Sequence, residues 1–157
     1  MQQLTIEYFD FEQDFMEDNI RCIPMIVRFK LDACGIKLKL KEWSKMSVEE
    51  REQLALLPVD SSTDLEVYKT CIQELIYKHT GENATLLPTM HDDHNYWSSI
   101  EFLSAKLEEK LRESKMTISL AQWKDLTVLQ RFALLKLTRP GHENKNFPKA
   151  MKEFGLT

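Results

Sequence analysis

A polar stretch near the end of the chain carries the residues best suited to chemistry. Residues 137–147 read LTRPGHENKNF, which places a His142–Glu143 pair and the cation Arg139 between two apolar segments. Imidazole and carboxylate groups can transfer protons, and a guanidinium group pairs with anions. The stretch therefore allows three interpretations: an active site, a partner-binding loop, or a turn that leads into a helix.

A second stretch, HDDH at residues 91–94, combines imidazoles with carboxylates, which are common protein ligands of divalent metals. Two histidines three residues apart can share a metal on a helix, but this segment has no helical periodicity. The sequence therefore favours a solvent-facing acidic turn. The weaker alternative is a metal site formed by His91, Asp92, Asp93 and His94.

Established catalytic signatures do not occur in the chain. It contains no G-x-G-x-x-G, no G-x-x-x-x-G-K-[ST], no G-x-S-x-G and no H-E-x-x-H. The cysteines Cys22, Cys34 and Cys71 are odd in number and have no C-x-x-C spacing, so we expect reduced thiols. We therefore predict no catalytic residue and no cofactor, while an acid/base enzyme that uses the polar stretch stays open.

Charge is distributed unevenly along the chain, whose formal net charge is −4. Residues 1–20 contain six acidic and no basic residues, and residues 21–45 contain seven basic and two acidic residues. Residues 129–157 contain six basic and two acidic residues. If the two basic segments meet in the fold, they form a patch for an anionic partner. Ordinary solvated faces, or pairing with the acidic first twenty residues, would explain the same pattern.

Composition also limits the compartment and the partners. A sequence pI of about 5.6 argues against general nucleic-acid binding. The first residues lack a basic region and an apolar run, and no window of the sequence is long and apolar enough to span a bilayer. We therefore expect a cytoplasmic protein whose partners include neither nucleic acid nor a membrane.

The chain resembles itself at an offset of 80 residues, because residues 30–57 align without a gap with residues 110–137. Eight of the 28 aligned positions are identical: Lys30/Lys110, Leu31/Leu111, Leu40/Leu120, Trp43/Trp123, Val48/Val128, Arg51/Arg131, Leu54/Leu134 and Leu57/Leu137. In each copy an alternating stretch precedes a Trp and then a capping-box pattern that begins a helix. The pattern predicts two related halves, each with its Trp sealing the core.

Helical periodicity and capping patterns predict a mainly α fold, with about six helices in a single domain over residues 1–157. The expected helices begin near Pro24, Ser47, Thr63, Ser98, Thr127 and Asn146. The alternating stretches 36–40 and 116–120 are expected to pair as a small two-stranded ribbon. Residues 81–97 have no helical period and are predicted to form a loop between the halves.

Two segments of the chain resemble the family of nitrate reductase-associated proteins. They are RCIPMIVRFKLDACGIKLKLKEW, from Arg21 to Trp43, and LQRFALLKLTRPGHENKNF, from Leu129 to Phe147. The resemblance extends over almost the whole chain, from about Phe9 to Phe154. It implies a cytoplasmic bacterial accessory protein, mainly cyanobacterial, encoded near genes for assimilatory nitrate reductase and molybdopterin cofactor synthesis, and it brings no catalytic residues.

The resemblance implies nitrate reductase or its apoenzyme as the partner. In the preferred hypothesis the chain is a non-catalytic accessory protein that supports maturation of the enzyme or insertion of its molybdenum cofactor through protein–protein contact. The residues expected to bind the partner are Arg21, Arg28, Arg139, His142, Glu143, Asn144, Lys145 and Asn146. The alternative is an enzyme or small-ligand sensor in nitrogen or molybdopterin cofactor metabolism, with the same loop lying over a pocket.

Overall fold

Two compact units, residues 1–91 and 92–157, divide the chain. The computed structural model describes residues 5–87, 101–139 and 145–157. In these residues the chain contains nine α-helices and a two-stranded antiparallel ribbon, so the predicted mainly α fold is confirmed. The boundary between the units falls within the segment 81–97 that the sequence predicts as a loop.

Unit 1 (residues 1–91) holds five of the helices and the ribbon. After a 3-10 helix at Asp10–Glu12 come α1 (Gln13–Glu17), α2 (Met25–Cys34), β1 (Ile36–Lys37), α3 (Leu40–Ser44), α4 (Val48–Leu56), α5 (Ser62–Thr80) and β2 (Thr85–Leu86). Unit 2 (residues 92–157) contains α6 (Ala105–Glu113), α7 (Leu120–Asp125), α8 (Val128–Lys136) and α9 (Phe147–Glu153).

Helix α2 lies at the centre of unit 1, where it packs against α4, α5 and β1. Val27 and Leu31 on α2 are buried in one apolar cluster with Tyr68 and Ile72 of α5. At the C-terminal end of α2, Gly35 has a φ of +78°. Glycine adopts this conformation without the steric penalty that a Cβ atom brings. This glycine ends the helix and directs the chain into β1.

The predicted ribbon is present, but its second strand comes from a different part of the chain. Ile36 pairs with Leu86 and Lys37 with Thr85, so β1 pairs with β2 and not with residues 116–120. Residues 116–119 form no strand, and residue 120 begins α7. Because α2 and α5 pack on each other, the segments that follow their C-terminal glycines can run side by side, and that packing selects the partner.

Three short helices raise the number of helices from the predicted six to nine in the described residues. They are α1, α3 and α7, and α3 and α7 each contain one of the repeated tryptophans. The sequence pattern predicts an alternating stretch followed by a Trp, because a helix of five or six residues is too short to show a helical period. Trp43 and Trp123 are both fully buried, as predicted.

Two predicted helix starts are displaced. Helix α5 is capped by Ser61, whose Oγ accepts the Asp64 amide at 3.1 Å, so the helix begins before the predicted Thr63. Helix α6 is capped by Ser104, and residues 101–103 are not helical although the prediction places them inside this helix. Phe102 is accordingly exposed.

The helix pairs α3–α4 and α7–α8 have the same local structure at the offset of 80 residues. Arg51 Nε donates to the Trp43 carbonyl at 3.3 Å, and Arg131 Nη1 donates to the Trp123 carbonyl at 3.4 Å. Each guanidinium also lies near the ring of its Trp, at 5.7 and 6.0 Å from the ring centroid. Descent of the two halves from one duplicated segment stays a prediction.

Candidate functional site

The two units differ in net charge, which directs attention to the basic part of unit 2. Unit 1 contains 10 basic and 16 acidic residues, for a net charge of −6, and unit 2 contains 11 basic and 9 acidic residues, for a net charge of +2. Residues 136–152, the C-terminal basic segment, have five bases and one acid, and their net charge of +4 exceeds that of unit 2 as a whole. A positively charged surface attracts anionic partners.

Helix α9 supplies one side of the C-terminal basic segment. Phe147, Ala150 and Met151 are fully buried and hold the helix against α8. Lys149 and Lys152 lie on the opposite face and are exposed, because residues three apart share a helix face. The apolar stripe of α9 therefore fixes the direction in which these two ammonium groups point.

The start of α9 follows the sequence prediction only in part. Pro148 lies in the first turn, as predicted, and its fixed φ suits that position. Asn146 occupies the N-cap position, but its side chain makes no capping hydrogen bond. The amide group of Asn146 is therefore not used by the helix, and it stays among the predicted partner-binding residues.

The end of α8 supplies the remaining bases of the segment. Lys136 is half-buried, with its ammonium group 5.3 Å from the centroid of the Phe132 ring. Arg139 follows the helix and is exposed. Lys145, which lies two residues before the start of α9, is also exposed. The segment thus has four exposed cations at or beside two helices that pack together: Arg139, Lys145, Lys149 and Lys152.

The structure places the predicted site residues in three groups. Arg139, Lys145 and Asn146 lie in unit 2, on the C-terminal basic segment. Arg21 and Arg28 lie in unit 1. His142, Glu143 and Asn144 lie outside the described residues, as does the alternative metal stretch 91–94. Within the described residues, no group of three or more His, Cys, Asp or Glu side chains could hold a metal ion.

Arg21 and Arg28 have hydrogen bonds inside unit 1. Arg21 Nη1 lies 3.2 Å from Asp18 Oδ2 and 3.4 Å from the Asp14 carbonyl, so the acidic N-terminal residues do pair with the first basic segment here. Arg28 Nε donates to the Ile23 carbonyl at 3.0 Å. These contacts favour a structural role for both residues, and their predicted binding of a partner stays a prediction.

Lys149 and Lys152 are exposed bases of the site that the sequence interpretation did not select. The apolar residues of the helix that follows the polar loop 137–147 predict only that it packs against the core. The signal was available in the sequence, because Lys145, Lys149 and Lys152 are spaced four and three residues apart, which is the spacing of one helix face.

Glu50 and His79 form the closest histidine–carboxylate pair of the described residues, with 2.8 Å between Oε1 and Nε2. Glu50 also accepts hydrogen bonds from Lys78 Nζ at 3.0 Å and from the Ser47 amide at 2.8 Å. Partial burial raises the pKa of Glu50, but the hydrogen bonds from Ser47, Lys78 and His79 outweigh it and lower the pKa to about 2. A carboxylate held ionised in this way is a poor proton acceptor, and it joins α4 to α5.

Burial shifts the pKa of two thiols and of one lysine of unit 1. Burial raises the pKa of Cys34 to about 11 and raises that of Cys71, so both remain thiols at neutral pH. Lys30 is buried, and its Nζ donates to the carbonyls of Ala55 and Leu57. Burial lowers the pKa of Lys30, while its two hydrogen bonds close the end of α4.

Comparison with known proteins gives one match, to the family described as "conserved nitrate reductase-associated protein", over residues 8–154. The chain belongs to this family. No curated protein and no solved structure matches it.

The match to the nitrate reductase-associated family includes both segments on which the resemblance was first noted, residues 21–43 and 129–147. It also includes the whole C-terminal basic segment. The family name indicates an association with nitrate reductase. Among the described residues of this family member, no helix has both the length and the apolar character needed to cross a membrane.

Proposed function

We propose that the protein is a non-catalytic accessory factor of assimilatory nitrate reductase that acts in the cytoplasm. It binds the enzyme or its apoenzyme through protein–protein contact and supports maturation or insertion of the molybdenum cofactor. The observation that carries the proposal is membership of the nitrate reductase-associated family over residues 8–154. The C-terminal basic segment, which lies within that range, is the proposed contact surface.

The charges of this segment suit an anionic partner surface. A guanidinium group such as that of Arg139 suits carboxylates and phosphates, and Lys145, Lys149 and Lys152 add positive charge just before and on α9. The same groups would suit the phosphates of a molybdopterin cofactor during its transfer. Charge complementarity of this kind speeds association and excludes partners of the wrong sign.

The polar loop is proposed to complete the contact surface. His142, Glu143 and Asn144 lie between Arg139 and Lys145 in the sequence, and we propose that they contact the partner together with these two bases. Asn146, whose amide group does not cap α9, can bond a polar group of the partner. The closed hydrogen-bond network of Glu50 and the raised pKa of Cys34 favour this binding role over catalysis.

Co-purification with nitrate reductase tests the proposal. The wild-type chain is expected to be retained on immobilised apoenzyme or cofactor-loaded enzyme, and the variant Lys149→Glu/Lys152→Glu is expected to bind at least about tenfold more weakly. The matched control is Arg112→Glu/Lys124→Glu, which reverses the same number of exposed charges on α6 and α7 of the same unit. The interaction should also weaken as ionic strength rises.

Two results would contradict the proposal. Absence of retention on either form of the enzyme argues against direct contact. Equal loss of binding in both charge-reversal variants shows that net charge, and not the C-terminal basic segment, is responsible. A separate variant, His142→Ala/Asn144→Ala, tests the loop and is expected to weaken binding without changing its dependence on salt.

A further inference from the structure

Unit 1 contains an open groove of about 470 Å³, which lies within the size range of ligand sites. Three parts of the chain form it: the N-terminal segment 5–8, the end of α1 with the turn after it, and α4. The lining residues are Thr5, Ile6, Tyr8, Met16, Glu17, Asn19, Ile20, Val48, Glu52 and Leu56.

Apolar and acidic groups share the lining. Half of the lining residues are aliphatic or methionine, and they provide a surface for a hydrocarbon chain. Glu17 and Glu52 place two exposed carboxylates on the groove, and no lysine, arginine or histidine lines it. Tyr8, which is 40% exposed, adds an aromatic ring and a hydroxyl group. An occupant therefore needs a positive charge at the end of an apolar stem.

The charge of the residues around the groove also favours a positively charged occupant. Residues 5–20, which form one side of it, contain six acidic and no basic residues. Of these acids, only Glu12 is buried, and its carboxylate accepts the amides of Phe9 and Met25. The other five are exposed to solvent. Arg21 lies 3.2 Å from Asp18 and offsets its charge, and the remaining four give this side of unit 1 a negative potential.

The turn that forms one wall of the groove is held in place by the repeated Trp–Arg pair. Asn19 and Ile20 have φ values of +56° and +53°, a conformation that is unfavourable for a β-branched residue such as Ile20. Trp43 Nε1 donates to the Ile20 carbonyl at 2.8 Å, and Arg51 Nη1 donates to the Asn19 carbonyl at 2.8 Å. Because the buried Trp43 and the half-buried Arg51 fix the turn, the wall is already formed before any ligand binds.

We infer that this groove binds a basic segment of a partner protein, with the aliphatic stem of a Lys or Arg side chain on the apolar floor. The charged end of that side chain pairs with Glu17 and Glu52, and apolar neighbours in the segment contact Ile6, Met16 and Leu56. This site is separate from the C-terminal basic segment and selects the opposite charge. It does not depend on the proposed association with nitrate reductase.

Fluorescence polarisation with a short labelled peptide of alternating Leu and Arg tests the site on the full chain. Saturable binding is expected, and Glu17→Gln/Glu52→Gln is expected to weaken it about tenfold. The matched control, Glu66→Gln/Glu74→Gln, removes two exposed acids of α5 in the same unit and is expected to change affinity less than about twofold.

A second variant tests shape without changing charge. Val48→Phe places a larger side chain in the groove and is expected to weaken peptide binding about tenfold or more, with an unchanged melting temperature measured by circular dichroism. Three results would overturn the inference: no saturable binding by the wild-type chain, equal binding of a peptide of alternating Leu and Glu, or equal weakening by the groove and α5 variants.

Discussion

Replacing Glu50 with Gln is expected to destabilise unit 1 by separating α4 from α5 without harming the start of α4. The second half of the chain supports this design, because Gln130 occupies the equivalent position and its Oε1 accepts the Thr127 amide at 2.9 Å. Gln at position 50 can make the same capping contact with Ser47. What the variant loses is the charged interaction with Lys78 and His79.

The size of the effect follows from the pKa of Glu50. Its pKa is lowered from the ordinary 4.5 to about 2, and a difference of this size corresponds to about 3 kcal/mol of stability at neutral pH. Lys78 is 66% exposed, and water screens its charge, so we expect the free energy of unfolding to fall by about 1–2 kcal/mol.

Urea unfolding followed by far-UV circular dichroism measures the decrease in the free energy of unfolding at about pH 7 and about pH 3.5. The pKa of Glu50 is lower in the folded protein than its ordinary value. The stabilisation by ionised Glu50 is therefore present above pH 4.5 and is lost as the pH falls towards 2. The difference between wild type and Glu50→Gln should therefore shrink at the lower pH.

Glu49→Gln is the matched control for Glu50→Gln. Glu49 also lies in the first turn of α4, but it is exposed and makes no ion pair with any described residue. The variant Glu49→Gln therefore measures how much stability is lost when one negative charge is removed from the same end of α4. The reasoning would be refuted if the two variants lost equal stability, or if the loss in Glu50→Gln stayed constant with pH.

Two other substitutions test single interactions in unit 1 by the same urea unfolding assay. Lys30→Met leaves the carbonyls of Ala55 and Leu57 without their donor and should lower the free energy of unfolding by about 1–3 kcal/mol, whereas the exposed Lys37→Met should have little effect. If Lys30→Met and Lys37→Met lowered the free energy of unfolding equally, the hydrogen bonds of Lys30 to the end of α4 would not stabilise unit 1. Gly35→Ala adds a Cβ atom that meets nothing within 4 Å, so only its positive φ is unfavourable and the loss should be about 1 kcal/mol; a neutral result would contradict this account.

Helix starts and ends were largely predictable because they depend on residues a few positions apart. The Ser47 and Thr127 hydroxyls accept the amides of Glu50 and Gln130 at 3.1 Å, as the capping-box patterns predict. Gly81, just past the end of α5, has the expected left-handed conformation. Such contacts form within one turn of helix, so the local sequence contains all the groups that they need.

Predictions failed where a distant contact or a competing cap decided the structure. The alternating stretch 36–40 predicts a strand, but nothing in it indicates Thr85 and Leu86 as the residues beside it. Ser104 caps α6, so the pattern beginning at Ser98 does not start the helix at Glu101 and Phe102. In both cases more than one local pattern was acceptable; pairing with a distant segment decided the first case and the Ser104 cap the second.

The sequence by itself determined the helix-rich character of the protein, the capped starts of α4 and α8, and the concentration of bases in residues 136–152. These properties depend on composition and on near neighbours along the chain. Only the tertiary structure decided which distant side chains meet. It brought Glu50 to His79, directed Lys149 and Lys152 of α9 outward by burying the opposite face, and joined residues 5–8, 16–20 and 48–56 into one groove. The physical reason is that such contacts depend on how buried faces pack, and the spacing of residues in the sequence does not specify that packing.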